Sequence, residues 1–107
     1  MCFHTIQSKL ANQIERRFNA KIRDTNLFEP HEHINGFTYP KIPIITNLKR
    51  EIIDQYNWGL IPSWTKNDEI KAMTLNARNE TIKGKRTLSH VITQRCSIVA
   101  DDFYEWR

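Results

Sequence analysis

The sequence predicts an α+β fold, mostly antiparallel β with flanking helices, and three observations carry that expectation. Ile-rich residues alternate with polar ones over 41–47 and 51–58, the pattern of half-buried strands. The short polar link from Asn47 to Arg50 suits a hairpin between them. One stretch, residues 8–20, has clear helical spacing. A hydrophobic content of 39% over 107 residues fits one folded domain spanning 1–107. No run approaches the ~18 apolar residues of a membrane span. No signal-peptide pattern opens the chain, so the expected location is cytoplasmic with no membrane partner.

Taken in order, Cys2–Gln7 reads as a strand with Phe3, Thr5 and Gln7 on one side and Cys2, His4 and Ile6 on the other, so that Cys2 and His4 share a face. Ser8 suits an N-cap, and Leu10, Ala11, Ile14 and Phe18 follow on one face of a helix reaching about Ala20. From Asp24 to Pro40 the pattern gives way to turn formers and the pair His31 and His33. Residues 36–43 read as loop or strand edge, because Pro40 and Pro43 cannot donate to a central ladder. After the hairpin, Trp58–Trp64 (WGLIPSW) is expected to turn a corner while burying one indole, with Trp64 available as a stacking platform. Asn67–Ile70 is a polar turn, Ala72–Arg78 is extended, and Asn79–Ile82 is a short helical turn. Thr87–Gln94 is expected to be helical with Leu88, Val91 and Ile92 inward. Cys96–Ala100 then reads as a buried strand, followed by a turn at Asp101 and Asp102 and a last strand over 103–106.

Charge is uneven. Over 1–23 the bases Lys9, Arg16, Arg17, Lys21 and Arg23 face the single acid Glu15, and the rest of the chain balances, which accounts for the net charge of +4. A second basic cluster surrounds Gly84, with Lys83, Lys85 and Arg86. Such regions attract phosphates, although a solvated helix face accounts for the first equally well.

The chemistry-bearing stretch is the N-terminus. If Met1 is trimmed, Cys2 carries an α-amine and a thiol on one Cα. Their ordinary pKa values, ~7.7–8.0 and ~8.5, leave both partly deprotonated at neutral pH. An aldehyde can form a Schiff base with that amine, and the thiolate can then close a thiazolidine. Asn76, in NARNE, supplies an amide able to orient a nucleophile, and Arg78 a planar fork for phosphate. Glu105 lies between Tyr104 and Trp106, where loss of solvent would raise its pKa toward that of a general acid. Cys2 and Cys96 are read as free thiols. The spacing of Cys2, His4, His31, His33 and Cys96 matches no metal motif, so neither a metal nor a cofactor is expected.

Together the initiating Met-Cys, the stretch Tyr39–Pro43, WGLIPSW, NARNET (Asn76–Thr81), Arg86 and RCSIVADDFYEW (Arg95–Trp106) resemble the SOS response-associated peptidase (SRAP) family, which acts on abasic sites in single-stranded DNA. The resemblance implies a barrel-like, mostly antiparallel fold. It implies Cys2 as the nucleophile that crosslinks the ring-opened sugar, Asn76 holding the Cys2 amine or the sugar, and Glu105 shuttling protons. It implies Arg78 and Arg86 on phosphates, Pro40 and Trp64 against bases, and His4 on DNA. The peptidase label corresponds to removal of the protein's own Met1. Two departures stand out: Phe3 and His4 replace the family's usual Gly-Arg, and Asp102 its usual Gly. The match covers about the N-terminal half of the family domain, ending after YEW, without the later half's closing strands and catalytic His. Open strand edges would then invite self-association or a complementing chain. The implied location is bacterial cytoplasm, at the nucleoid when DNA is bound. The alternatives are a non-catalytic single-strand-binding remnant and a cysteine peptidase of general or self-cleaving kind.

Overall fold

The computed structural model describes residues 2–106. Met1, whose removal the N-terminal chemistry requires, lies outside the described residues. Among the described residues seven strands form two sheets, with one α-helix packed on one face of the four-stranded sheet. The strands are β1 (His4–Gln7), β2 (Lys21–Ile22), β3 (His31–Asn35), β4 (Lys41–Thr46), β5 (Ile52–Asn57), β6 (Cys96–Ile98) and β7 (Asp102–Tyr104). One sheet runs β3-β1-β7 and the other β2-β5-β4-β6. All pairings are antiparallel except β2 with β5. The α+β, mainly antiparallel expectation holds, whereas the barrel-like closure does not: β6 and β7 are consecutive in the chain yet edge different sheets, and the two sheets are not joined into a ring.

The helix α1 (Ala11–Phe18) is shorter than its sequence pattern. Ser8 does not cap it. Its amide and hydroxyl instead donate to Asp101 at 2.7 and 2.6 Å, while the Gln13 side chain accepts from the Leu10 amide. Asn19, in the left-handed conformation at φ 49°, ends the helix.

The hairpin β4–β5 forms as its alternation predicts, with Lys41 opposite Asn57 and Ile44 opposite Asp54. Alternation also divides its side chains between two cores. Ile45 and Ile53 join Ile14, Ala20, Ile22, Phe28 and Val99 beneath α1. On the other face Ile42 and Ile44 meet Ile34, Trp58 and Leu75, with Phe3 and Tyr39 against them. The molecule is thus layered as helix, four-stranded sheet, three-stranded sheet.

Five expectations fail for identifiable reasons. Pro43 lies not in a loop or at an edge but in β4, which is paired on both sides. Its missing N–H falls opposite Val99, just past the end of β6, and its carbonyl still accepts from the Val99 amide at 2.9 Å. The turn-rich 24–40 region contains β3, whose one buried residue, Ile34, gives too short a pattern to read. Residues 72–78 are not extended, because a 3₁₀ segment (Asp68–Met73) capped by the Asn67 side chain runs into them. Over 87–94 there is a single 3₁₀ turn, Ser89–Val91, rather than a helix, and Leu88, Val91 and Ile92 are only half-buried. Likewise β6 is exposed along its length, with Val99 alone buried in that stretch, since an edge strand lacks a neighbour on one side.

Candidate active site between the sheets

Cys2 sits in a cavity of about 300 Å³ between the two sheets. Thr5 and Phe103, paired across β1 and β7, form one wall, and Ile98 of β6 with Trp58, Leu75 and Asn76 the other. The β6–β7 link, Ala100 to Asp102, closes the end.

Each part is held by a specific contact. The Trp58 indole N–H donates to the Leu75 carbonyl at 2.8 Å, and the Thr74 hydroxyl to the Leu60 carbonyl at 2.7 Å, which fixes the segment leading into Asn76. The Trp58 amide donates to the Pro40 carbonyl, and Gly59, at φ +110°, makes the turn that follows. Gly36 lets the N-terminal segment settle onto Trp58: its amide donates to the Phe3 carbonyl at 2.8 Å. A Cβ at Gly36 would lie 3.0 Å from that oxygen and 3.1 Å from the Trp58 ring.

Asn76 carries the most informative feature. Its side-chain nitrogen is buried and has no hydrogen-bond acceptor among the described residues. A buried donor left unsatisfied costs roughly 1–3 kcal/mol, a cost that any acceptor brought against it would offset. Asp101, at the cavity end, is pulled upward in pKa by partial burial, but the two Ser8 hydrogen bonds and the charge of Lys9 outweigh that and hold its carboxyl below the usual range. Cys96, on β6, has its thiol pKa pushed up by partial burial, which lowers its thiolate fraction at neutral pH.

Of the residues singled out from sequence, Cys2 and Asn76 share the cavity. Trp64 and Arg86 also meet, with the guanidinium 4.6 Å from the centre of the half-exposed indole. The others are not brought to Cys2. A bend at Phe3 breaks the strand alternation, so Cys2 turns to the Thr5 side, while His4 lies on the opposite face of the three-stranded sheet, against His33, Phe37 and Tyr104. Glu105, Pro40 and Arg78 do not line the cavity. The desolvation expected at Glu105 is missing as well: the residue is exposed and its neighbour Trp106 is 99% exposed, so the flanking rings do not shield it. Sequence reasoning named His33 only in a rejected metal set and missed Tyr104, whose relation to His4 arises from strand pairing alone, and Thr5, which its place near Cys2 could have flagged. Among the described residues no group of three or more His, Cys, Asp or Glu could hold a metal ion, and no helix is long and apolar enough to cross a membrane.

Comparison with known proteins gives the family. The chain is 39% identical over 67 residues, 62% of its own length, to abasic site processing protein YoaM of Bacillus subtilis, of which it covers 30%. It is 41% identical over 61 residues, 52% of its length, to abasic site processing protein HMCES of Pongo abelii, covering 17% of that protein. The chain therefore spans less than a third of the curated relatives it matches. Its fold superposes on the crystal structure of a Bacteroides thetaiotaomicron protein with a TM-score of 0.87 and 34% identity, covering 99% of this chain and 49% of that one. The SOS response associated peptidase (SRAP) family model matches residues 1–107, and the chain belongs to that family.

Proposed function

We propose that this chain takes part in processing abasic sites in single-stranded DNA, forming a covalent crosslink through Cys2 after removal of Met1. The observation that supports this reading is that Asn76, whose amide nitrogen is buried without an acceptor among the described residues, lines the same cavity as Cys2. An abasic sugar in its open form presents an aldehyde. The Cys2 amine adds to the carbonyl carbon, and loss of one water leaves a C=N bond. The thiol then adds across that bond: sulfur bonds to carbon, its proton passes to nitrogen, and a thiazolidine ring closes. Asn76 donates to the sugar or carbonyl oxygen as charge develops there. Glu105 carries protons during addition and dehydration, which requires the last strand to bring it nearer when DNA is bound. Trp64 and Arg86 form a stacked platform for a base and its phosphate, and Arg78, Pro40 and His4 complete the strand contacts. Activities labelled peptidase or lyase belong to the same site: Met1 removal frees the nucleophile, and crosslinking follows sugar ring opening.

The outer edges of β6 and β7, beside exposed Ile98 and Phe103, offer unpaired strand positions where a second chain or second copy completes the site. The test compares wild type with Cys2→Ala and Glu105→Gln on a single-stranded oligonucleotide carrying one abasic site. Denaturation-resistant adduct should vanish in Cys2→Ala and form more slowly in Glu105→Gln at similar DNA affinity. Equal adduct in Cys2→Ala would refute the assignment. A purely electrostatic binder would instead leave no adduct and be released by salt.

A further inference from the structure

On the sheet face opposite Cys2, His4 of β1 and His33 of β3 are joined ring to ring, with His4 Nδ1 3.0 Å from His33 Nε2. The ring centres are 5.0 Å apart, and His33 meets Tyr104 of β7 edge-on at 5.4 Å. Phe37 covers His4 at 6.0 Å and is itself stacked on Phe3 at 4.8 Å. The two imidazoles and the phenol line an open recess of about 410 Å³. One polar edge is thus assembled from three strands and backed by aromatic rings.

The bond between the rings fixes what a proton can do. In the neutral pair one ring donates to the other, which leaves one free nitrogen as an N–H and the other as a lone pair. Uptake of a single proton keeps the bridge and turns both free nitrogens, His4 Nε2 and His33 Nδ1, into donors on a cation shared across two strands. That state is suited to an oxyanion, and histidine changes charge between about pH 5 and 8. We propose that His4 and His33 act as one proton-coupled site for a backbone phosphate of the nucleic acid strand, in which both rings donate and the shared proton makes the grip pH-dependent. The proposal deepens the DNA-binding reading and rests on it, but not on the Cys2 chemistry. The other titratable groups on the packed strands are Glu32 and His31 on β3, the latter 4.0 Å from Glu29, and Asp102 and Glu105 at β7. The carboxylates among them oppose a phosphate placed directly over them. The Glu32 carbonyl accepts from the Tyr104 hydroxyl at 3.4 Å, which ties the third strand to the pair.

The test uses the whole chain and a lesion-free single-stranded oligonucleotide, which offers no aldehyde, with affinity read by fluorescence anisotropy at pH 8 and pH 6 at fixed ionic strength. Linkage to one proton allows at most about tenfold per pH unit. Wild type should bind about tenfold more tightly at pH 6. His33→Gln, which keeps polar groups but cannot titrate, should reduce that ratio to below about twofold, and His4→Gln should do the same, while His31→Gln should retain it. A wild-type ratio near one, the full ratio retained in His33→Gln, or no binding at either pH would each overturn the proposal. Adduct yield on abasic DNA at pH 8 is scored separately, so loss of crosslinking with the pH ratio intact counts against the Cys2 chemistry alone.

Discussion

The two faces of the four-stranded sheet make the instructive comparison. Beneath α1 the apolar residues are sealed: Ile53 is 0% exposed, and Ile14, Ile22, Phe28 and Val99 surround it. On the other face Ile42 and Ile44 are equally well covered by Ile34 and Trp58, but the layer ends early. Ile98 and Phe103, at the β6–β7 end, remain 50% and 56% exposed. There the sheets diverge around Cys2 and the unsatisfied amide of Asn76. Both faces arise from one alternating pattern in the hairpin. The face closed by the helix is sealed, and the face left incompletely closed holds the cavity lined by Cys2 and Asn76.

Substitutions that separate the two faces test this division. The largest stability effect belongs to the sealed side. Ile53→Ala should cost about 2–5 kcal/mol in denaturant unfolding, whereas Phe103→Ala, half-exposed, should cost less than about 1 kcal/mol. Equal losses would erase the contrast between the two cores. Next in size, Gly36→Ala should slow adduct formation by displacing Phe3 from Trp58, with a smaller change in stability, because the new Cβ meets backbone oxygen and ring rather than a flexible side chain. Asn76→Ala should lower the crosslinking rate without destabilising the fold, since it removes a donor that has no acceptor among the described residues. A destabilised Asn76→Ala would show that the amide is structural.

The smallest effect concerns Asp101. Its carboxyl pKa is lowered in the folded state, so its bonds to Ser8 contribute stability that is full above the ordinary Asp value of ~3.9 and lost as pH falls through the lower folded value. The residue is largely exposed, so the loss in Asp101→Asn at neutral pH should be about 1 kcal/mol or less. The difference from wild type should shrink on acidification below about pH 4. A constant difference across that range would assign the effect to packing.

How much could be read beforehand follows the same division. The hairpin of β4 and β5 was legible because two Ile-rich stretches flank a short polar link, although cover on both faces makes burial in β4 continuous from Ile42 to Ile44. α1 was legible from its helical spacing, although Ser8 proved to serve Asp101 instead of the cap. β3 was hidden because one buried residue in HEHIN carries no period, and 87–94 was misread because Leu88, Val91 and Ile92 mimic a helical face while packing only partly. At the site, Cys2 and Asn76, which the motifs single out, line one cavity. The bend at Phe3, which sends Cys2 and His4 to opposite faces, could not be foreseen from a period-two reading. The His4–His33 bond depends on the pairing of β1 with β3, so no spacing in the sequence announced it.

The most direct test of the central claim is the intact mass of the purified chain before and after incubation with a single-stranded oligonucleotide bearing one abasic site, followed by peptide mapping. The account predicts loss of Met1, a one-to-one product lighter than the sum of its parts by one water, and the modification on Cys2. An unmodified chain lacking Met1, or an adduct mapped to a lysine, would contradict it.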